Sequence, residues 1–559
     1  MKQDTVAQPI LSGLTRLISS TQKLETQFAQ VIISIGNNKK WQTSNCAMDR
    51  TVVVVKERKR WKIKILHSNL ENEINNMYKN KISIILFLIC VFATPTFSQI
   101  KFSDETKKYI DYNDSVTIFK SALLIDGKGN AAKPHQTIII SNGKIDWVGD
   151  DEKAMLPKGA KIIDLNGKAI MPGLVMLHEH MYISAHSVDP RYLNLRQSPF
   201  TFPRLYLAAG ATTIRTCGSI EPYSDMRIKK DIELGLLPGP NMELTAPYIE
   251  GKSSRFPQMK ENKTPEEAAA FVTYWADQGF TSFKVYMGVD KPILNAAIEA
   301  AHKRHLKITG HLDIVTYKEA ASLGMDNLEH GFMASTDFAA GKKENEPPAA
   351  GAAIKALANL DLQADSVKQF IQFLIDKKIG ITSTLAVFEG ATTTQPRPNA
   401  EAINAMSPDT RDFYLQRLVT VKSTAGPTDF DKAFAKAAKM EKLFYDMGGL
   451  LTVGTDPTGN GGTLAGYGNW RAIELLVEAD GFTPLQAIKI ATLDGSIALG
   501  LEKTIGTIEP GKSADLLITD GDPSKNISDI RKVVYVFKNG VGFNSKKLFE
   551  SVKGKIGFN

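Results

Sequence analysis

Cysteine is nearly absent: 559 residues contain three, Cys46, Cys90 and Cys217. If the chain is trimmed before Gln99, Cys217 stands alone, no intramolecular disulfide can form, and stability must come from the packed core. Cys217 then reads most simply as a small buried hydrophobe. Long apolar runs are missing as well. The uncharged run Ile82 to Ala93 has twelve residues, whereas a membrane span needs about 20. No stable membrane insertion is therefore expected once that segment is removed. Nor does the body carry an excess of one charge. The net charge of +8 lies within the first 98 residues, because 99–559 hold 54 basic and 54 acidic residues. That balance removes the electrostatic case for a nucleic-acid partner. What remains, 43% hydrophobic and 23% charged, is ordinary for a globular protein.

Residues 77–98 read as a signal peptide. Met77-Tyr78-Lys79-Asn80-Lys81 is a short basic opening, the apolar run follows, and Thr96-Phe97-Ser98 supplies a small-x-small cleavage site before Gln99. Ile89 is too large for the position preceding a lipoprotein cysteine at Cys90. The body is expected to be secreted or periplasmic. A signal at residue 77 suggests translation from Met77, with 1–76 a misplaced start or a disordered extension. That region shows no sustained period, and Lys56-Glu57-Arg58-Lys59-Arg60 is simply charged. The rival is a cytoplasmic tail ahead of an uncleaved anchor, which also puts the body outside the cytoplasm.

From about 169 to 502 short β-rich runs alternate with helical segments, the pattern of a parallel sheet covered by helices. Eight runs qualify: Leu174–Leu177, Ala211–Cys217, Met242–Ala246, Thr281–Tyr286, Lys307–Gly310, Asn327–Glu329, Ile379–Thr384 and Leu450–Gly454. Thr264-Pro265-Glu266-Glu267 and Thr316-Tyr317-Lys318-Glu319 each predict a capping box. The expected fold is α/β, a (β/α)8 TIM barrel. Residues 99–168 and 503–559 are β-rich, with turn signals at Asp126-Gly127, Asn142-Gly143 and Asn539-Gly540, and are expected to form one small β-sandwich domain. Residues 335–362 read as a long excursion after the sixth strand. Helical periodicity over 402–447 predicts an inserted hairpin, a candidate lid.

In such a barrel, side chains at the C-terminal strand ends converge. His178 and His180 end the first strand and, two residues apart, point the same way. Lys284 lies in the fourth strand, His311 follows the fifth, His330 the sixth and Asp456 the eighth. Four of the eight histidines after Met77 thus occupy strand ends. His302 and His305 read as the solvated end of a helix. Lys284 sits between Phe283 and Val285 in an apolar strand, which favours a functional role. For His186, Tyr286 and Arg215 substrate contact competes with plainer roles: a loop residue, core packing and a structural ion pair.

With Ile163-Asp164-Leu165-Asn166-Gly167-Lys168 through Pro172-Gly173, Gly210-Ala211-Thr212-Thr213-Ile214-Arg215, and Gly506-Thr507-Ile508-Glu509-Pro510-Gly511-Lys512-Ser513-Ala514-Asp515-Leu516, the chain resembles the amidohydrolase superfamily. The resemblance is to its imidazolonepropionase-like and Xaa-Pro or Xaa-Arg dipeptidase-like branch. Met176 departs from the aspartate many members carry there, without touching the ligand set. The resemblance implies two Zn²⁺ ions, with Mn²⁺ or Fe²⁺ as alternatives. His178, His180 and Asp456 would hold one metal, His311 and His330 the other, and a carbamylated Lys284 would bridge them. It implies attack by a bridging hydroxide on an amide carbonyl, with Asp456 moving the proton.

The expected activity is exported hydrolysis of a C–N amide bond in a dipeptide, N-acyl amino acid or cyclic amide. The alternatives are a mononuclear deaminase, an imidazolonepropionase-like ring-opening hydrolase, and a non-catalytic binding scaffold. The expected partner is the small-molecule substrate, with a homo-oligomer as a further possibility by analogy.

Overall fold

The computed structural model describes residues 31–32, 51–57, 60–66, 101–185, 194–252, 254, 256–394, 399–422, 426–458 and 463–557. The signal-peptide segment and His186 lie outside them. The chain divides into two units, Met1–Gln99 and Ile100–Asn559. In the first, Thr51–Glu57 pairs antiparallel with Arg60–Leu66, a hairpin where no strand period was expected. Four consecutive valines, Val52 to Val55, favour extended backbone without any alternation to reveal it.

The second unit contains all eight expected parallel strands: β1 (Leu174–Glu179), β2 (Ala211–Thr216), β3 (Asn241–Glu243), β4 (Ser282–Val285), β5 (Lys307–Gly310), β6 (Asn327–Glu329), β7 (Gly380–Ser383) and β8 (Leu450–Val453). Every residue of β1, β2, β4, β6 and β7 is buried. Parallel strands covered on both faces read as continuous apolar runs for this reason. The ladder is not one continuous ring. β1–β3 form a three-stranded sheet and β4–β8 a five-stranded one. Isolated parallel bridges, Thr245 to Ser282 and Ile249 to Val285, join them at one seam. At the other, the N–H groups of Thr455 and Asp456 donate to the His178 carbonyl at 3.1 and 2.8 Å. The architecture is α/β, with flanking helices and two parallel ladders in place of the clean (β/α)8 ring expected.

The β-rich segments from either end do share a sheet, though a single branched one. Its nine strands include Val116–Leu124, Lys133–Ser141, Ala169–Pro172, Leu516–Thr519 and Val533–Lys538. Val116–Leu124 pairs with Lys161–Asp164 along its first half and with Ala169–Pro172 along its second, where the sheet branches. Asn142-Gly143 and Asn539-Gly540 all take positive φ, the paired left-handed turn a tight hairpin needs. The run Ala169–Leu177 splits at Gly173: Ala169–Pro172 pairs antiparallel with Leu516–Thr519, and only the remainder enters β1.

Helix caps are satisfied as the sequence suggests, with one variation. Thr316 and Glu319 form a full capping box. Thr264 accepts from the Glu267 N–H, but the Glu267 carboxylate turns to the Lys263 N–H at 2.8 Å. Residues 402–447 hold the end of one helix and two more, Pro408–Lys422 and Asp429–Asp446. The last buries Ala433, Ala437, Met440 and Phe444 against the core, so it is a packed helix and no lid. No helix among the described residues is long and apolar enough to cross a membrane.

Candidate metal centre

β1 delivers His178 and His180 to the C-terminal end of the sheet, both buried. Each ring is oriented through Nδ1. His178 Nδ1 donates to Glu329 Oε2 at 2.7 Å, and His180 Nδ1 donates to the Gly218 carbonyl at 3.3 Å. That leaves the Nε2 lone pairs for the site, the usual arrangement of a ligating imidazole. Both converge on Asp456 Oδ1, at 3.1 Å from His180 and 3.8 Å from His178. Two donors about 2.0–2.1 Å from a tetrahedral ion lie roughly 3.3 Å apart, so this trio fits a divalent metal. Glu179, between the two histidines, faces away. Its Oε1 accepts from the Thr455 N–H and Asn469 Nδ2 at 3.1 and 2.9 Å, and burial pushes its carboxyl up to about 8.

The remaining expected residues gather around the same point. Lys284 Nζ is 3.2 Å from His178 Nε2 and lies over the Tyr248 and Tyr286 rings at 5.2 and 5.9 Å. His330 Nδ1 meets Thr384 Oγ1 at 2.9 Å and lies 3.9 Å from Asp456 Oδ2. The buried His330 Nε2 has no hydrogen-bond partner, as a nitrogen reserved for a ligand would. The His311 ring is 4.1 Å from that of His330, centroid to centroid. Asp456 and His330 both take positive φ, 51° and 70°, a conformation that non-glycine residues hold only where their surroundings enforce it. Tyr286 stands at the edge, its ring 5.1 Å from His311. His302 is remote and exposed, bound to Asp326 at 3.0 Å.

Arg215, a candidate for meeting a substrate carboxylate, meets a carboxylate of the protein instead. It donates to Glu329 Oε1 at 2.6 Å and to the Leu177 carbonyl at 2.8 Å. Glu329 also accepts from Asn327 Nδ2 at 3.0 Å and from the Thr309 hydroxyl. Burial alone would push the Glu329 carboxyl up, but Arg215 and Lys284 outweigh it and hold it below the usual range. A second cluster of potential ligands, His178, Cys217 and Glu329, lies on this side of the His178 ring. Its members are already engaged with one another or with Arg215, and burial pushes the Cys217 thiol up to about 12. This cluster orients His178. Glu329 escaped the sequence reading, yet an acid and an arginine in two apolar strands are themselves a signal, since buried charges come paired.

Electrostatics favour metal-competent forms. Burial first, and the Lys284 charge second, lower His178 well below its ordinary value and His311 to about 3. Burial and the neighbouring imidazoles do the same to His330. His180 is lowered by burial despite Asp456. Burial would raise Asp456, but its bond to His180 and the nearby imidazoles hold it well below the usual carboxylate range.

Residues 416–542 match the model of the amidohydrolase family. Bottromycin amidohydrolase has a similar fold, with a TM-score of 0.59 at 19% identity, covering 81% of this chain and 95% of that one. A Xaa-Pro dipeptidase with methionine bound in its active site gives 0.55 at 19% identity, covering 77% and 100%. A 5-methylthioadenosine/S-adenosylhomocysteine deaminase of Moorella thermoacetica is 40% identical over 75 residues, which span 12% of this chain and 18% of that relative.

Two outcomes are expected of this site. A Cβ on Gly454 would lie 2.3 Å from the His178 Cβ, so Gly454→Ala must displace the first ligand. Elemental analysis of the folded variant should find metal content reduced at least about tenfold, and full occupancy would refute the assigned packing. The second concerns acid. Unfolded histidines gain protons near 6.5, whereas the folded ones gain them only well below it. At these histidines the unfolded state therefore binds more protons, and their contribution to stability, present above about pH 6.5, is lost as pH falls. Buried carboxyls such as Glu179 and Glu441, pushed up to about 8, act the other way, so the histidine contribution is read as a difference. The urea midpoint of chelator-treated parent protein should fall relative to that of His311→Gln between about pH 7.5 and 5; a constant difference contradicts this.

Proposed function

We propose that the chain is an exported metal-dependent amidohydrolase that cleaves a C–N amide bond in a dipeptide, an N-acyl amino acid or a cyclic amide. The observation that carries this reading is the meeting of His178 Nε2, His180 Nε2 and Asp456 Oδ1, with Lys284, His311 and His330 around them. We read the two parallel ladders as a distorted (β/α)8 barrel with this cluster at its mouth. His178, His180 and Asp456 would hold one ion, and His311 and His330 a second. Lys284 would lie between them as a carbamate formed from its amine and CO₂ with release of a proton. An ammonium 3.2 Å from a ligand nitrogen opposes a divalent cation, whereas a carbamate carries the opposite charge. When bound, such ions supply Lewis acidity, polarising a carbonyl and acidifying water.

The chain's own groups do the rest. Asp456 retains 14% side-chain exposure and His311 is half-buried, whereas His178, His180, Lys284 and His330 are buried, so one carboxylate face is open to substrate. It is the group placed to take a proton from the attacking water and return it to the leaving nitrogen. The Tyr182 and Tyr248 hydroxyls bond to each other, and with the Tyr286 ring they wall Lys284 from solvent. A deaminase reading draws on the match to the Moorella relative, and release of ammonia distinguishes it. A primary amide releases ammonia as well, so the diagnostic substrates are secondary amides.

Chelated protein should be inactive and regain turnover with about two equivalents of Zn²⁺. Asp456→Asn should lower kcat by about 10²–10⁴-fold while most bound metal remains; undiminished turnover would remove aspartate as the proton carrier. Export rests on Met77–Ser98, and N-terminal sequencing of the mature protein should begin at Gln99. A mature chain retaining residues before Met77 would overturn the signal-peptide assignment.

A further inference from the structure

The excursion after β6 is held in place. Asp337 accepts from the Tyr317 and Lys318 N–H groups at 2.9 and 3.0 Å, at the start of the helix Tyr317–Leu323. Lys342 Nζ donates to the Ile314 carbonyl at 2.6 Å. Asn345 Oδ1 accepts from the Lys291 N–H at 2.9 Å, and Glu344 pairs with the Lys291 ammonium at 2.5 Å. These anchors reach the segments that follow β4 and β5, and they fold residues 335–351 back over the mouth beside His311.

The fold-back borders a half-open cavity of about 250 Å³. Leu312, Met333, Ala350, Ala353 and Ile354 line it. His311 lines it too, the one candidate ligand it shares with the metal centre. An apolar cavity of about 150 Å³ accommodates benzene, and pockets for whole drug-sized ligands start near 300 Å³. This volume therefore suits one side chain rather than two residues. Asp313, which has a contact of its own, lines the same space.

We propose that this cavity selects the substrate. It receives a single uncharged apolar substituent, branched aliphatic or benzyl in size, attached beside the scissile amide on the His311 side. This rests on the hydrolase reading above and supplies its specificity. The excursion, rather than the loops nearer β1, is then the segment that sets substrate choice.

The test uses zinc-loaded full-length protein with N-acetyl-glycine, N-acetyl-aspartate, N-acetyl-leucine and N-acetyl-phenylalanine, measuring both binding by calorimetry and kcat/KM. The leucine and phenylalanine compounds should be favoured about 10- to 100-fold over the other two. Ala353→Phe fills the cavity and should bring that preference within about threefold, with the glycine compound and bound metal unaffected. Should Ala353→Phe fail to fold, Ile354→Ala enlarges the cavity and should shift preference from leucine toward phenylalanine. Unchanged preference in the folded variants, equal loss across the series, or no preference in the parent protein overturns the proposal. Selective binding without hydrolysis sinks the hydrolase reading and leaves the pocket. Hydrolysis without selectivity does the reverse.

Discussion

One buried carboxylate holds this site together. Glu329 of β6 receives hydrogen bonds from Arg215 of β2, from Thr309 of β5, from Asn327 of its own strand and from His178 of β1. Four strands therefore meet at two oxygens. Buried ion pairs contribute little net stability, yet removing one partner costs about 3–5 kcal/mol because a charge is left unpaired. The pair is best understood by what it positions. With Nδ1 committed to Glu329, the His178 ring has one orientation and one tautomer, and its Nε2 can point only toward Asp456 and Lys284.

The backbone departs from regularity where the side chains are most constrained. The β8–β1 seam has no ladder, only two N–H groups turned onto the His178 carbonyl. Asp456, beside that seam, and His330, after β6, both hold positive φ. Such conformations typically carry about 1–3 kcal/mol of strain each. Continuing a regular strand at either position would point the side chain elsewhere. Gly454 makes the approach possible by leaving room for the His178 backbone.

Much of this was legible in the sequence because strand ends are positional. Apolar runs such as Phe283–Val285 and Leu450–Val453 announce buried parallel strands, and a polar residue closing each run has to emerge at one rim. His178, His180, Lys284, His311, His330 and Asp456 could be grouped on that basis alone. The Glu329–Arg215 pair could not, because each residue looks like an isolated charge until the strands are placed side by side. The seams were hidden since ladder continuity depends on strand tilt, which no local pattern encodes. The excursion over 335–351 reads as featureless loop, because its anchors, Asp337, Lys342 and Asn345, are ordinary surface residues until their partners on other loops are known. Periodicity over 402–447 suggests a lid because an amphipathic pattern gives one apolar face without saying what covers it, and the Asp429–Asp446 helix turns that face to the core.

The small sheet adds a consequence in time. Ala169–Pro172 leads straight into β1, and its antiparallel neighbour, Leu516–Thr519, comes from the far end of the chain. A ribosome delivers that neighbour only after β1 to β8 have all emerged. The strand leading into β1 therefore has only one neighbour, Val116–Leu124, until synthesis is nearly complete. Contacts this distant in sequence slow folding, so the metal centre is among the last parts of the molecule able to assemble.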